Sequence, residues 1–303
     1  MLSRCGFNLS AFLALVLVGM TMASARQPAK SLTNSIGLEL ALIPAGEFDI
    51  GTPDSAKYNH WPSEKPQHRV KITKAFYFGK FEVTQEQYEK VTGKNPSYFA
   101  STGAYKDKVK DLDTRQFPVE GVTWEDAQAF CVKLSNLEAE KKAGRVYRLP
   151  TSAEWEYACR AGTTTLFYSG AKVWFKEANF GDGGGRPDVG LFGHGDDKDK
   201  PPGRTTKVGS YAPNPWGLYD MHGNVVEWCQ DYFDPDYYQL KVKEDPQGPK
   251  IGSAFAPQAR VVRGGSWWTR TNYNRSACRH PSGQVGGPGR IGFRVVCVTV
   301  GTR

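Results

Sequence analysis

Long apolar runs are almost absent from this 303-residue chain. The one present, Leu9 to Met20, is too short to cross a bilayer as a helix. No membrane span is therefore expected in the folded part. Histidine is scarce, and His60, His68, His194, His222 and His280 are scattered. No His-x-x-x-His-x-Glu spacing suited to non-haem iron occurs. Nor is there any Cys-x-x-Cys or paired His of the kind that binds zinc. A Gly-x-Ser-x-Gly elbow and a phosphate-cradling Gly-Lys-Ser/Thr are also missing, which leaves hydrolase and nucleotide-binding readings without an anchor. The chain is basic, with a formal net charge of +8. Its cations, among them Lys71, Lys74, Arg145, Arg148, Arg263 and Arg275, are dispersed rather than interleaved with aromatics, so no nucleic-acid partner is expected.

What the chain has in quantity is aromatic residues (13 %, with eight Trp), which rule out general disorder. It also has 33 Gly and 19 Pro, about one residue in six. That density interrupts long periodic elements and points to a loop-rich α+β domain rather than a bundle or a regular parallel sheet. Arg4, the apolar stretch Leu9–Met20 and the small residues Ala23-Ser24-Ala25 form a signal-peptide pattern. Residues 1–25 are thus expected to be removed on export to the periplasm, the extracellular space or, in a eukaryote, the secretory lumen. A polar leader, 26–37, precedes a single domain over 38–300. Cys5 is expected to leave with the signal peptide, and Cys131, Cys159, Cys229, Cys278 and Cys297 remain. Five is an odd count, so at most two internal bridges can form, in a compartment that favours them.

Along the chain, Leu38–Ile50 reads as strand, turn, strand, and Val70–Phe81 as further strand. Thr84-Gln85-Glu86-Gln87, Thr123-Trp124-Glu125-Asp126 and Thr151-Ser152-Ala153-Glu154 are capping signatures that predict three helices. The first should stop at Gly93. The second, the longest, carries Ala127, Phe130, Cys131, Leu134 and Leu137 on one face and precedes Gly144. The third carries Trp155, Ala158 and Cys159 and closes at Gly162. The stretch near 181–203 is too polar to pack and predicts a flexible insertion, and 231–257 reads as irregular. Val261–Trp268 and Ile291–Val300 predict closing strands.

Seven phrases recur in order: Pro44-Ala45-Gly46-Glu47-Phe48, Phe81-Glu82-Val83-Thr84, Pro118 to Trp124, Arg148 to Tyr157, Gly217 to Trp228, Arg263-Gly264-Gly265-Ser266-Trp267, and Gly292-Phe293-Arg294. Together they resemble the formylglycine-generating enzyme (sulfatase-modifying factor) family over Leu38–Val298. The resemblance implies an irregular, loop-rich variant of the C-type-lectin-like fold. It also implies an exported oxidase that converts a sulfatase cysteine to formylglycine with oxygen and copper, the copper held by two cysteines after the Gly-Gly-Ser phrase.

Counted from Ser266, those two positions hold Thr269 and Asn274, or Tyr273 if the alignment slips by one. None of these supplies the thiolate that monovalent copper prefers, so copper is not expected. Val226 stands where the enzymes carry a tryptophan, and Ser266 is the reaction-centre residue that is retained.

Calcium is the cofactor that the resemblance favours. Asp220 and Glu227 would give side-chain oxygens and Gly223 and Val225 backbone carbonyls. Asn179 and Phe180 would form a second site, completed by Asp199 or Asp197. The resemblance also implies bridges Cys131–Cys297 and Cys159–Cys278, with Cys229 free. The resulting expectation is an exported, calcium-stabilised binding or scaffold module that meets a sulfatase or another exported protein or peptide. The alternatives are an oxidase with non-standard ligands and a sugar-binding lectin-like protein.

Overall fold

Three threonines start three of the helices. In this computed structural model, which describes residues 29–58, 60–181, 199–285 and 287–300, each sits in extended backbone just before its helix. Thr84 accepts a bond from the Gln87 amide at the head of α1 (Gln85–Thr92), Thr123 from Asp126 before α2 (Trp124–Asn136), and Thr151 from Glu154 before α4 (Ser152–Arg160). The third residue of each helix reaches back to the cap amide, so two otherwise unpaired donors are satisfied at each start. Gly93 closes α1 in the left-handed region, as its sequence predicts. The longest helix ends sooner than expected. Leu137 is extended (ψ 136°), and the chain restarts as the short α3 (Glu138–Lys142) before Gly144. At the end of α4 it is Ala161, not Gly162, that takes the left-handed conformation first.

A five-stranded sheet runs in the order β1 (Ser31–Thr33), β2 (Glu39–Ile43), β5 (Phe76–Gly79), β11 (Val296–Thr299), β6 (Arg145–Arg148). A second sheet is ordered β10 (Ile291–Gly292), β7 (Val226–Tyr232), β8 (Arg260–Arg263), β9 (His280–Pro281), and β3 (Gly46–Ile50) pairs with β4 (His68–Ile72). All four residues of β5 are buried, because the strand is packed on both faces. Tyr77 faces a core with Tyr88, Phe130 and Phe293, where Tyr88 and Phe130 stack at 5.5 Å. Phe78 faces a core built round Trp155.

Several expectations change here. The expected leader, 26–37, contains β1, which pairs with β2 in antiparallel register and rests Leu32 against the core. The fold therefore begins before residue 38. The segment 231–257, read as irregular, opens inside β7, which holds Asp231 and Tyr232. β8 stops at Arg263 because Gly264 (φ 88°) and Gly265 (φ 72°) turn the chain out of the sheet. Residues 1–25, read from the sequence as a signal peptide, and positions 182–198 of the polar insertion lie outside the described residues. Among those described, no helix is long and apolar enough to cross a membrane. The architecture is the loop-rich α+β variant of the C-type-lectin-like fold.

The bridges Cys131–Cys297 and Cys159–Cys278 are not formed in this structure, where all five cysteines are free and buried. Cys131 and Cys297 share one core, whereas Cys159 and Cys278 face other partners. Cys159 Sγ points at Ser276 Oγ (3.6 Å) and Cys278 Sγ at His280 Nε2 (3.0 Å). The chain after the glycine pair brings position 276, not 278, opposite α4. Burial pushes the Cys131 and Cys159 thiols up to about 12.

Candidate functional site

Gly264 and Gly265 deliver Ser266 to a fully buried position behind β8. Thr269 folds back on it. The Thr269 Oγ1 accepts from the Ser266 amide (2.7 Å), donates toward the Ser266 carbonyl (3.1 Å) and stands 3.4 Å from Asn274 Oδ1. Asn274 Nδ2 donates to the Arg270 carbonyl at 2.7 Å. A side chain on Gly265 would collide with Asn274, so glycine is required there for packing as well as for its positive φ. Thr269 and Asn274 thus face each other beside Ser266, while Tyr273 turns away to stack on His280.

His222 braces this loop. Its Nε2 accepts from the Tyr168 amide (3.0 Å), so Nδ1 carries the proton given to the Asn274 carbonyl (2.7 Å). Burial holds its pKa down at about 3, which keeps the ring neutral. The donors that converge here are hydroxyl, amide and carbonyl oxygens, which hydrogen-bond well but are hard ligands that suit soft monovalent copper poorly.

The expected calcium residues lie directly behind. Asn224 links the two places, because its carbonyl accepts from the Trp267 amide (2.9 Å) and its amide donates to the Asn179 carbonyl (2.7 Å). Gly223 (φ 121°) lies so close to that carbonyl that no Cβ would fit. The fold therefore brings Asn179 against the 220–227 segment, two places that the resemblance treats as separate sites. Phe180 is buried in a small aromatic cluster, and Val225 lies buried just ahead of β7. Asp199 is exposed, so its carboxylate is not among these buried groups.

Glu227 departs from its expected role. Arg294 grips it with two bonds of 2.7 Å, and Trp155 Nε1 adds a third, also 2.7 Å. A carboxylate so engaged is a poor candidate for a metal. Asp220 and Asn179 differ: Asp220 Oδ1 and Asn179 Oδ1 are buried without any hydrogen-bond partner. Orphaned acceptors of this kind are costly and suit a hard cation. Among the described residues no group of three or more His, Cys, Asp or Glu could hold a metal. Any ion here would depend on carbonyls and on the Asn179 amide oxygen.

One residue was not foreseen. Glu82 is fully buried before α1, and neither of its oxygens has a partner. Burial and the nearby Asp220 push its carboxyl well above the usual range, and burial lifts Asp220 to about 6. Three buried carboxyls, Glu82, Asp220 and Glu227, thus share the single guanidinium of Arg294. The available signal was an acidic residue set between Phe81 and Val83 in a strand-like phrase.

Comparison with known proteins agrees with this geometry. The model of the sulfatase-modifying factor enzyme 1-like domain matches residues 25–298. A serine/threonine-protein kinase pkn1 of Chlamydia pneumoniae is 32% identical over 84% of this chain, which spans 37% of that protein's length. A formylglycine-generating enzyme of Streptomyces coelicolor is 38% identical over 58% of this chain and 51% of its own. The structure of PvdO from Pseudomonas aeruginosa superposes with a TM-score of 0.66 at 27% identity, covering 90% of this chain and 99% of that one. The chain belongs to the sulfatase-modifying factor enzyme family.

Proposed function

We propose that this family member is an exported binding or scaffold module without copper-dithiolate oxidase chemistry. The observation that carries the reading is the facing pair Thr269 and Asn274 beside Ser266, 3.4 Å apart and closed in a hydrogen-bond network. Where the enzymes described by the resemblance need two soft thiolates, this chain offers a hydroxyl and an amide. The partner would be a sulfatase or another exported protein or peptide. Calcium, taken by the orphaned oxygens of Asp220 and Asn179 with the carbonyls of Gly223 and Val225, would serve the fold rather than the chemistry.

Co-expression with a sulfatase, followed by mass spectrometry of its target cysteine, tests this. The cysteine is expected to stay unmodified. Formylglycine formed above the background of cells lacking this protein would support the alternative, an oxidase with non-standard ligands.

A sugar-binding reading draws on a different observation. A cavity of about 420 Å³ is lined by Phe48, Tyr157 and Trp216 together with Glu47, Asp49 and Arg69. Aromatic faces beside polar side chains are what a sugar ring requires. A glycan array would separate it from the protein-binding reading.

A further inference from the structure

On the far side of β9 from the Ser266 loop lies a cavity of about 300 Å³, whose walls include Trp61, Phe233, Phe255, Arg279, His280 and Pro281. Most of that lining is apolar. Its charged side chain is Arg279, which is 1% exposed yet makes no carboxylate ion pair among the described residues. The carboxylates near it are engaged elsewhere. Glu156 binds Arg160 (2.9 Å) and Arg263 (3.1 Å), and Glu64 binds Arg275 (2.7 Å). Asp231 accepts from the Ser152 amide at the head of α4 (2.8 Å).

Arg279 is held in place without being neutralised. Its Nη1 donates to the carbonyls of Ser63 (3.2 Å) and Asp234 (3.1 Å), and its plane lies over Tyr238 (4.7 Å) and Phe233 (5.1 Å). Its Nε is buried with no acceptor. A second donor in the same wall, Trp61 Nε1, is likewise buried and unpartnered. The Trp61 ring is fixed edge-on against His280 at 5.0 Å, and His280 Nε2 is itself 3.0 Å from Cys278 Sγ. A buried cation with no direct ion pair and an orphaned donor are each costly, and both occur beside one cavity. Phe255 stands fully exposed at the rim.

We infer that this cavity binds a small monocarboxylate with an aromatic or branched apolar body. The carboxylate would take the Nε edge of Arg279 and the indole N–H of Trp61, and the body would lie against Phe233, Phe255 and Pro281. Guanidinium suits a carboxylate because its planar donors match the two oxygens. The same chemistry could be presented by a free acid or by the last residue of a peptide.

The test is titration of the full-length protein with 3-phenylpropionate, followed by calorimetry and by the Trp61 indole N–H resonance. Saturable binding that shifts that resonance is expected, with 3-phenylpropionamide at least about tenfold weaker because it lacks the charge. Trp61→Phe, which keeps the ring and removes the donor, should weaken the acid but not the amide. Ala256→Trp, which narrows the cavity, should abolish both. These variants leave Arg279 in place, so a folding defect at the buried arginine does not obscure the result. A peptide ending in a free phenylalanine carboxylate, compared with its amidated form, distinguishes the sources. Competition by the free-ended peptide assigns the site to chain termini, and its absence assigns the site to free acids. Equal binding of acid and amide, no binding of acid or peptide, or acid binding unchanged in both variants would overturn the inference.

Discussion

Cys159 Sγ and Ser276 Oγ lie 3.6 Å apart, 117 positions distant in sequence, with both residues buried. This contact joins the end of α4 to the segment after the glycine pair, where a bridge to Cys278 was expected. Ser276→Cys should therefore form a disulfide with Cys159 on oxidation. The chain-entropy gain for so long a loop is roughly 4–5 kcal/mol before strain. Non-reducing peptide mapping together with thermal unfolding checks it, and two free thiols after oxidation would show the geometry to be unsuitable.

Glu227 and Arg294 form a buried pair in which removing one partner strands the other. Arg294→Met should cost about 3–5 kcal/mol in urea unfolding, because Glu227 is left buried without its partner. Replacing both residues by Met should recover part of that loss. Recovery will be incomplete, since Arg294 also donates to the carbonyls of Gly79 (3.0 Å) and Tyr219 (3.0 Å) and Glu227 also accepts from Trp155 Nε1 (2.7 Å). A double variant less stable than the single would refute this account.

Glu120 accepts from the amides of Phe99 (2.8 Å) and Tyr98 (3.0 Å), but burial outweighs those bonds and lifts its carboxyl to about 7. The folded state then holds the proton more tightly than the unfolded one. The stabilising contribution is fully present below the ordinary value of 4.5 and is lost as pH rises through about 7. Between those limits the slope approaches about 1.4 kcal/mol per pH unit. Glu120→Gln should flatten the pH dependence of the urea midpoint there, and an unchanged slope would count against the assignment.

Calcium, if it occupies the Asp220–Asn179 region, stabilises only the folded state. A hundredfold excess over Kd is worth about 2.7 kcal/mol. Chelation should lower Tm in protein shown to contain calcium, and Asp220→Ala should remove that sensitivity. Insensitivity of the wild type would dismiss the proposal.

The helix starts were legible because capping is local: a threonine and the acidic or amide side chain three residues on specify the turn by themselves. β7 was obscured because Val226–Tyr232 mixes Glu227, Gln230 and Asp231 into a strand that is mostly buried, so no alternation of apolar and polar residues appears. Its charges are satisfied only by distant partners such as Arg294 and the amide of Ser152. β1 was hidden in a short polar stretch that meets the core through Leu32 and Ile36. At the site, the Thr269–Asn274 pairing followed from counting after Ser266. The meeting of Asn179 with Gly223 did not, because they are joined by a backbone approach that has no sequence period.

β11 lies between β5 and β6, so the strand latest in sequence among the described residues is an interior strand of the main sheet. During synthesis β5 and β6 exist for well over a hundred residues before their common neighbour emerges. Until then both present open edges to any other extended chain. Closure of the sheet thus waits for Val296–Thr299, and a chain cut just before Val296 would leave β6 without its partner strand.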